Sequence, residues 1–154
     1  MVLGCDPATT LIALADDEGH TASAPIAQLD RGSARLQDAY TATLKLASSF
    51  LDGRIPDVCF IEQPAGIVHP ALWQAFGTIR AALWGAMADL DNHPVSVLPI
   101  MPSEWKATTL TNGSATKDQI LAWAIDHGYR GQIQDEADAY GIAVAGAKLL
   151  GVTR

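Results

Sequence analysis

The chain is poor in cysteine and in positive charge, and it has no long apolar run. Its only cysteines are Cys5 and Cys59, each inside a short apolar stretch. They read as two small buried hydrophobes in a reducing compartment. Neither belongs to a CxxC pair or to a Cys/His cluster at zinc spacing, which argues against a structural zinc. No apolar stretch approaches the roughly 20 residues needed to span a bilayer, so no membrane association is expected. The start, Met1-Val2-Leu3-Gly4-Cys5-Asp6, lacks the basic-then-apolar pattern of a signal peptide, and a cytoplasmic location is the expectation. Ten Lys+Arg stand against seventeen Asp+Glu, a formal charge of −7. That scarcity counts against a phosphate-binding surface. A protein of this charge that binds nucleic acid must gather its few cations on one face, helped by bound metal and helix N-termini.

Hydrophobic residues make up 49% of the 154 positions, which suits a well-packed globular chain, and the length fits one domain over 1–154. Three β-like runs come first: Met1–Asp6, Leu11–Ala15 and a weaker one around Thr21–Ile26. Asp16-Asp17-Glu18-Gly19 reads as a hairpin turn between the second and third. After Asp30-Arg31-Gly32-Ser33 a long amphipathic helix is predicted, stopped by Gly53 and Pro56. Val58–Ile61 has the continuous apolar character of a strand buried on both faces. A second helix should run from near Pro70 to about Leu90, and a further buried strand from Val95 to Leu98. From Trp105 and Lys106 the chain reads as a polar, Thr-rich loop, then as a helix over Lys117–His127 closed by Gly128, then as a last helix from near Asp135 to near Leu150. The order β-β-β-α-β-α-β-α-α makes this an α/β protein. It resembles the plan of the RNase H-like fold, a mixed central sheet with three antiparallel strands first and helices on both faces.

Four carboxylates stand where such a fold exposes side chains at element ends. Asp6 closes the first strand, Glu62 follows Val58–Ile61, and Asp135 and Asp138 share one face at the start of the last helix. Two-metal phosphodiester hydrolysis requires convergent carboxylates that hold ions ~3.5–4 Å apart. Each residue also has a bland reading. Asp6 before Pro7 suits a turn, Glu62 suits a solvated strand end, and Asp135 suits a helix N-cap, with Glu136 and Asp138 answering the helix dipole.

Taken in order, the motifs resemble those of RuvC-type Holliday-junction resolvases over nearly the whole chain. Gly4-Cys5-Asp6-Pro7-Ala8-Thr9-Thr10 is similar to the opening motif of that family, and Phe60-Ile61-Glu62-Gln63 to the second. Pro102, Trp105-Lys106 and Gly113-Ser114-Ala115-Thr116-Lys117 resemble the stretch that carries two basic residues. Asp135-Glu136-Ala137-Asp138, followed by small and apolar residues, resembles the fourth motif. The resemblance implies a crossover-junction endonuclease with two Mg²⁺ or Mn²⁺ ions held by Asp6, Glu62, Asp135 and Asp138. It implies that Lys117 and Lys106 offset charge on the phosphate, and that the substrate is branched DNA. Gln63-Pro64-Ala65-Gly66-Ile67-Val68-His69-Pro70 departs from the family pattern, with Ile67, Val68 or His69 as candidate DNA-contacting wedge residues. The Gln-Pro pair and Pro-Ser-Glu-Trp-Lys look closer to phage and organelle branches.

Leu72, Trp73, Phe76, Ile79, Leu83, Trp84 and Met87 recur at helical spacing and form an unusually wide apolar stripe. Part of it must face a core. The resemblance implies a homodimer through this helix, with Leu72, Trp73, Phe76, Ile79 and Leu83 at the interface.

Three other functions remain open at this point. A nuclease of the same fold could act on flaps, forks or RNA–DNA hybrids. An inactive binding relative would be expected to lack a carboxylate, and none is missing. A nucleotide-binding enzyme of the actin and sugar-kinase type would need a longer chain and a second glycine-rich phosphate loop, so no nucleotide cofactor is expected.

Overall fold

The structure is a computed structural model that describes residues 1–8, 10–26, 33–66, 70–88 and 95–152. Five strands, β1 (Val2–Pro7), β2 (Leu11–Asp16), β3 (Thr21–Pro25), β4 (Val58–Glu62) and β5 (Ser96–Ile100), form one sheet in the order β3-β2-β1-β4-β5. The first three pair antiparallel, whereas β1–β4 and β4–β5 are parallel. This is the mixed sheet expected, with an RNase H-like topology. The β2–β3 hairpin turns at Gly19, whose φ of 92° lies in the left-handed region that glycine occupies without a steric penalty.

Alternation along the strands divides two layers of helices. Leu3 and Cys5 of β1, with Cys59 and Ile61 of β4, face α1 (Ser33–Leu51) and α2 (Pro70–Ala88), and pack with Leu51, Ile79, Leu83 and Met87. Val2, Val58 and Phe60 point the other way, toward α3 (Pro102–Leu110), α4 (Lys117–Asp126) and α5 (Gln134–Leu149). There they meet Trp105, Ile120 and Ile142. Ala13 and Ala15 of β2 extend that face against Ala137, Ala139 and Tyr140 of α5. Both cysteines are buried and free.

Helix α5 lies on the sheet at unusually close range because the facing residues are small. A Cβ on Gly4 would come 2.2 Å from the Ala139 carbonyl oxygen, and one on Gly146 would strike the Phe60 ring at 2.3 Å. No side chain fits at either place.

Two expectations need correction. The stretch from Trp105 to Leu110 is helix, and only 111–116 is the expected loop. Pro102 opens α3 in its first turn, where its missing N–H costs nothing, and Thr111 closes it with a left-handed φ of 59°. The last strand also runs past Pro99 to Ile100 rather than stopping at Leu98. It is an edge strand, and an edge tolerates a residue that cannot donate to the ladder. Among the described residues, no helix is long and apolar enough to cross a membrane.

Candidate metal centre

The position of the acids follows from strand phase. On β1 the side chains facing α5 are Val2, Gly4 and Asp6; on β4 they are Val58, Phe60 and Glu62. The parallel register pairs Cys5 with Ile61, so Asp6 and Glu62 stand side by side at the C-terminal ends of adjacent strands, on the α5 face. The close seat of α5 over Gly4 brings the first turns of that helix above them. Ile133 occupies the N-cap position without a side-chain cap, which leaves Asp135 in the first turn. The expectation that Asp135 serves as the cap is therefore corrected.

One carboxylate oxygen from each of Asp6, Asp135 and Asp138 lies within 4.8 Å of the other two. Asp6 is only 8% exposed. Glu62 stands beside this trio and accepts a 2.5 Å hydrogen bond from the indole Nε1 of Trp105. Asp138 accepts one of 2.9 Å from the Gln134 side-chain amide. Lys117 Nζ is 4.0 Å from Asp135. Lys106 Nζ sits 5.4 Å above the Trp105 ring. All four acids and both lysines line one cleft of about 410 Å³, whose opposite wall is apolar and includes Leu72, Ala75 and Phe76.

Crowding of like charge out of water marks the acids. Burial pushes the Asp6 carboxyl well above the usual carboxylate range, and the negative charges of Glu62, Asp138 and Asp135 raise it further, with Lys117 opposing. Burial also raises Glu62, against the Trp105 hydrogen bond. Asp138 is raised by burial too, against the Gln134 amide and both lysines. A buried group of carboxylates is costly unless a cation joins it. Oxygen-only donors at this spacing suit a hard divalent cation such as Mg²⁺ or Mn²⁺ rather than a thiophilic one. The residues fit a metal site.

No protein-family model matches the sequence, and no curated protein does so either. Solved structures do. RuvC of Thermus thermophilus aligns over 98% of this chain and 95% of its own, with a TM-score of 0.69 at 19% identity. The same protein in complex with a Holliday junction substrate aligns over 98% and 94%, with a TM-score of 0.70 at 18% identity. The yeast mitochondrial Holliday junction resolvase aligns over 94% and 76%, with a TM-score of 0.53 at 14% identity. This chain has the RuvC fold.

Within this RuvC fold the other expected residues are placed unevenly. Ile67, Val68 and His69 lie outside the described residues. The apolar stripe of α2 divides. Phe76, Ile79 and Leu83 are spent on the chain's own core, with Ile79 and Leu83 fully buried, so they offer little or no surface to a partner. Leu72 is half-buried. Trp73 is 44% exposed and meets Phe76 edge-on at 5.8 Å, and Trp84 is 52% exposed.

Three residues carry more than their sequence positions suggest. Glu136 is buried and accepts from Thr21 Oγ1 at 2.8 Å, Ser23 Oγ at 2.7 Å and Tyr129 OH at 3.3 Å. It stands in the first turn of α5, as the dipole reading requires, and also tethers that helix to β3. Trp105 and Gln134 each donate a hydrogen bond to an acid. Pro102 as a helix-opening signal could have placed Trp105 on a helix, but nothing local reveals its hydrogen bond to a residue 43 positions away.

Proposed function

We propose that this chain is a divalent-metal-dependent endonuclease that resolves four-way DNA junctions by paired, symmetrical nicks. The gathering of Asp6, Asp135 and Asp138 beside Glu62, in one cleft with two lysines, carries the reading. The RuvC fold supports it, since a protein of that fold has been solved with a Holliday junction substrate.

In this reading Asp6, Glu62, Asp135 and Asp138 hold two Mg²⁺ or Mn²⁺ ions. When bound, such ions supply Lewis acidity, an acidified water and charge neutralisation at the leaving oxygen. Hydrolysis forms a bond from water oxygen to phosphorus and breaks the bond to the 3′ oxygen, which leaves with a proton. Lys117 and Lys106 are placed to offset the negative charge that grows on the phosphoryl oxygens. Gln134 holds one Asp138 oxygen and so limits its rotation. Leu72, Ala75 and Phe76 give the cleft an apolar lining beside the acids.

The chain acts as a homodimer, so that two sites address opposed strands of one junction. The exposed part of α2 around Leu72 and Trp73 supplies the contact.

The test is cleavage of a synthetic four-way junction in Mg²⁺ beside linear, flap, fork and RNA–DNA hybrid substrates. Paired nicks placed symmetrically across the junction, with little cutting of the others, are expected. Exclusive cutting of hybrids or flaps would overturn the junction assignment in favour of another nuclease of the same fold.

A further inference from the structure

Glu62 differs from the other three acids in how it is held. Asp6, Asp135 and Asp138 converge on one point, whereas Glu62 is not part of that convergent trio. One of its oxygens is taken by the indole N–H of Trp105. Trp105 is fully buried, so its ring cannot swing to follow the carboxylate. Its position is set from behind by α5. A Cβ on Gly141 would lie 2.6 Å from the indole ring, so Trp105 occupies the place where any larger residue would stand. Gly141 lies three residues beyond Asp138 on the same helix. The indole therefore bridges the helix that carries Asp135 and Asp138 to the strand that carries Glu62. The next residue of α3, Lys106, rests its ammonium over the same ring.

We infer that Trp105 is a positioning residue: its indole N–H fixes Glu62 apart from the three-aspartate cluster, as a ligand that presents its other oxygen to a divalent cation. The inference rests on the metal-dependent reading of the cleft. It adds that the reach of Glu62 is set by an indole locked against Gly141. Loss of the N–H frees Glu62 to rotate within a group of like charges, and cation affinity falls. Removal of such outer partners typically weakens metal binding about 10–100-fold.

The experiment is Mn²⁺ titration, by calorimetry and by the paramagnetic resonance of free Mn²⁺, on wild type, Trp105→Phe, Glu62→Gln and the double variant. No DNA is present. Trp105→Phe should weaken Mn²⁺ binding about 10-fold or more, and the same change in the Glu62→Gln background should have almost no effect. An equal loss in both backgrounds would mean that the indole acts only through packing, and the inference would fall.

If Trp105→Phe does not fold, the same question is put to wild type and Glu62→Gln through their four indole N–H resonances. One of them should shift with Glu62→Gln and, in wild type, with Mg²⁺. No indole signal answering to either change would equally overturn the inference. Failure of the nuclease reading looks different: the Mn²⁺ coupling would be present and the junction would stay uncut.

Discussion

Gly4 of β1 lies directly beneath Ala139 of α5, with 2.2 Å between a hypothetical Cβ and the Ala139 carbonyl oxygen. The obstacle is backbone on both sides, so neither can rotate away. This contact sets the height of Asp135 and Asp138 above Asp6. Gly4→Ala should therefore push α5 off the sheet, at or above the ~3 kcal/mol upper end of ordinary overpacking. Denaturant titration should show the loss, and Mn²⁺ affinity should fall with it although no ligand has changed. A variant with wild-type stability and wild-type affinity would contradict the geometry.

Neighbouring acids on α5 should separate by role. Glu136→Ala removes the charged acceptor of the half-buried Thr21 and Ser23 hydroxyls, at a cost of about 1–3 kcal/mol, while Tyr129 keeps its bond to the Ile133 carbonyl. Asp138→Asn should leave the fold intact and abolish cation binding. Thermal melts in chelator, paired with Mn²⁺ titration, distinguish the two. Equal destabilisation by both substitutions would contradict the assignment.

The raised carboxyls give the metal-free protein a specific pH response. Asp6, Glu62 and Asp138 all titrate above their ordinary values, chiefly through burial. A group whose folded value is raised favours the folded state while protonated. That stability is fully present below the unfolded carboxylate pKa near 4 and is lost as pH rises through the folded values. In chelator, Asp6→Asn should accordingly melt at a higher temperature than wild type at pH 7.5, with the gap closing toward pH 4. Added Mg²⁺ should reverse the order at pH 7.5. A constant gap across this range would mean that the carboxylates are not buried and crowded as described.

The proposed dimer is tested at Trp73, which α2 leaves exposed while Ile79 and Leu83 are buried inside. Light scattering at micromolar concentration should give twice the chain mass for wild type and the single mass for Trp73→Glu, with both folded by circular dichroism. A monomeric wild type would remove the paired-nick part of the proposal.

Much of this architecture was legible in the residues. Val58–Ile61 is continuously apolar because β4 is covered on both faces, and Gly53 and Gly128 punctuate helices where the backbone needs a positive φ. Asp6 and Glu62 could be singled out because each ends a strand. Helix α3 departs from the expected loop because its threonines, which read as loop formers, satisfy their hydroxyls on carbonyls one turn back, as Thr108 and Thr109 do. The stripe on α2 has one period whether it faces a core or a partner. Only the packing of α1 and the sheet against it shows which residues are used up. The role of Trp105 depends on Gly141 and Glu62 arriving from two distant elements, a fact that no local pattern carries.

In the proposed function Asp6, Glu62, Asp135 and Asp138 work as one metal-binding unit on branched DNA. The most direct test is cleavage of a labelled four-way junction in Mg²⁺ by wild type and by Asp138→Asn, with the nick positions mapped on all four strands. Symmetrical nicks on two opposed strands by wild type, none without Mg²⁺ and none by Asp138→Asn, are predicted. Nicking by Asp138→Asn at the wild-type rate, or wild-type nicking that persists in chelator, would contradict the account.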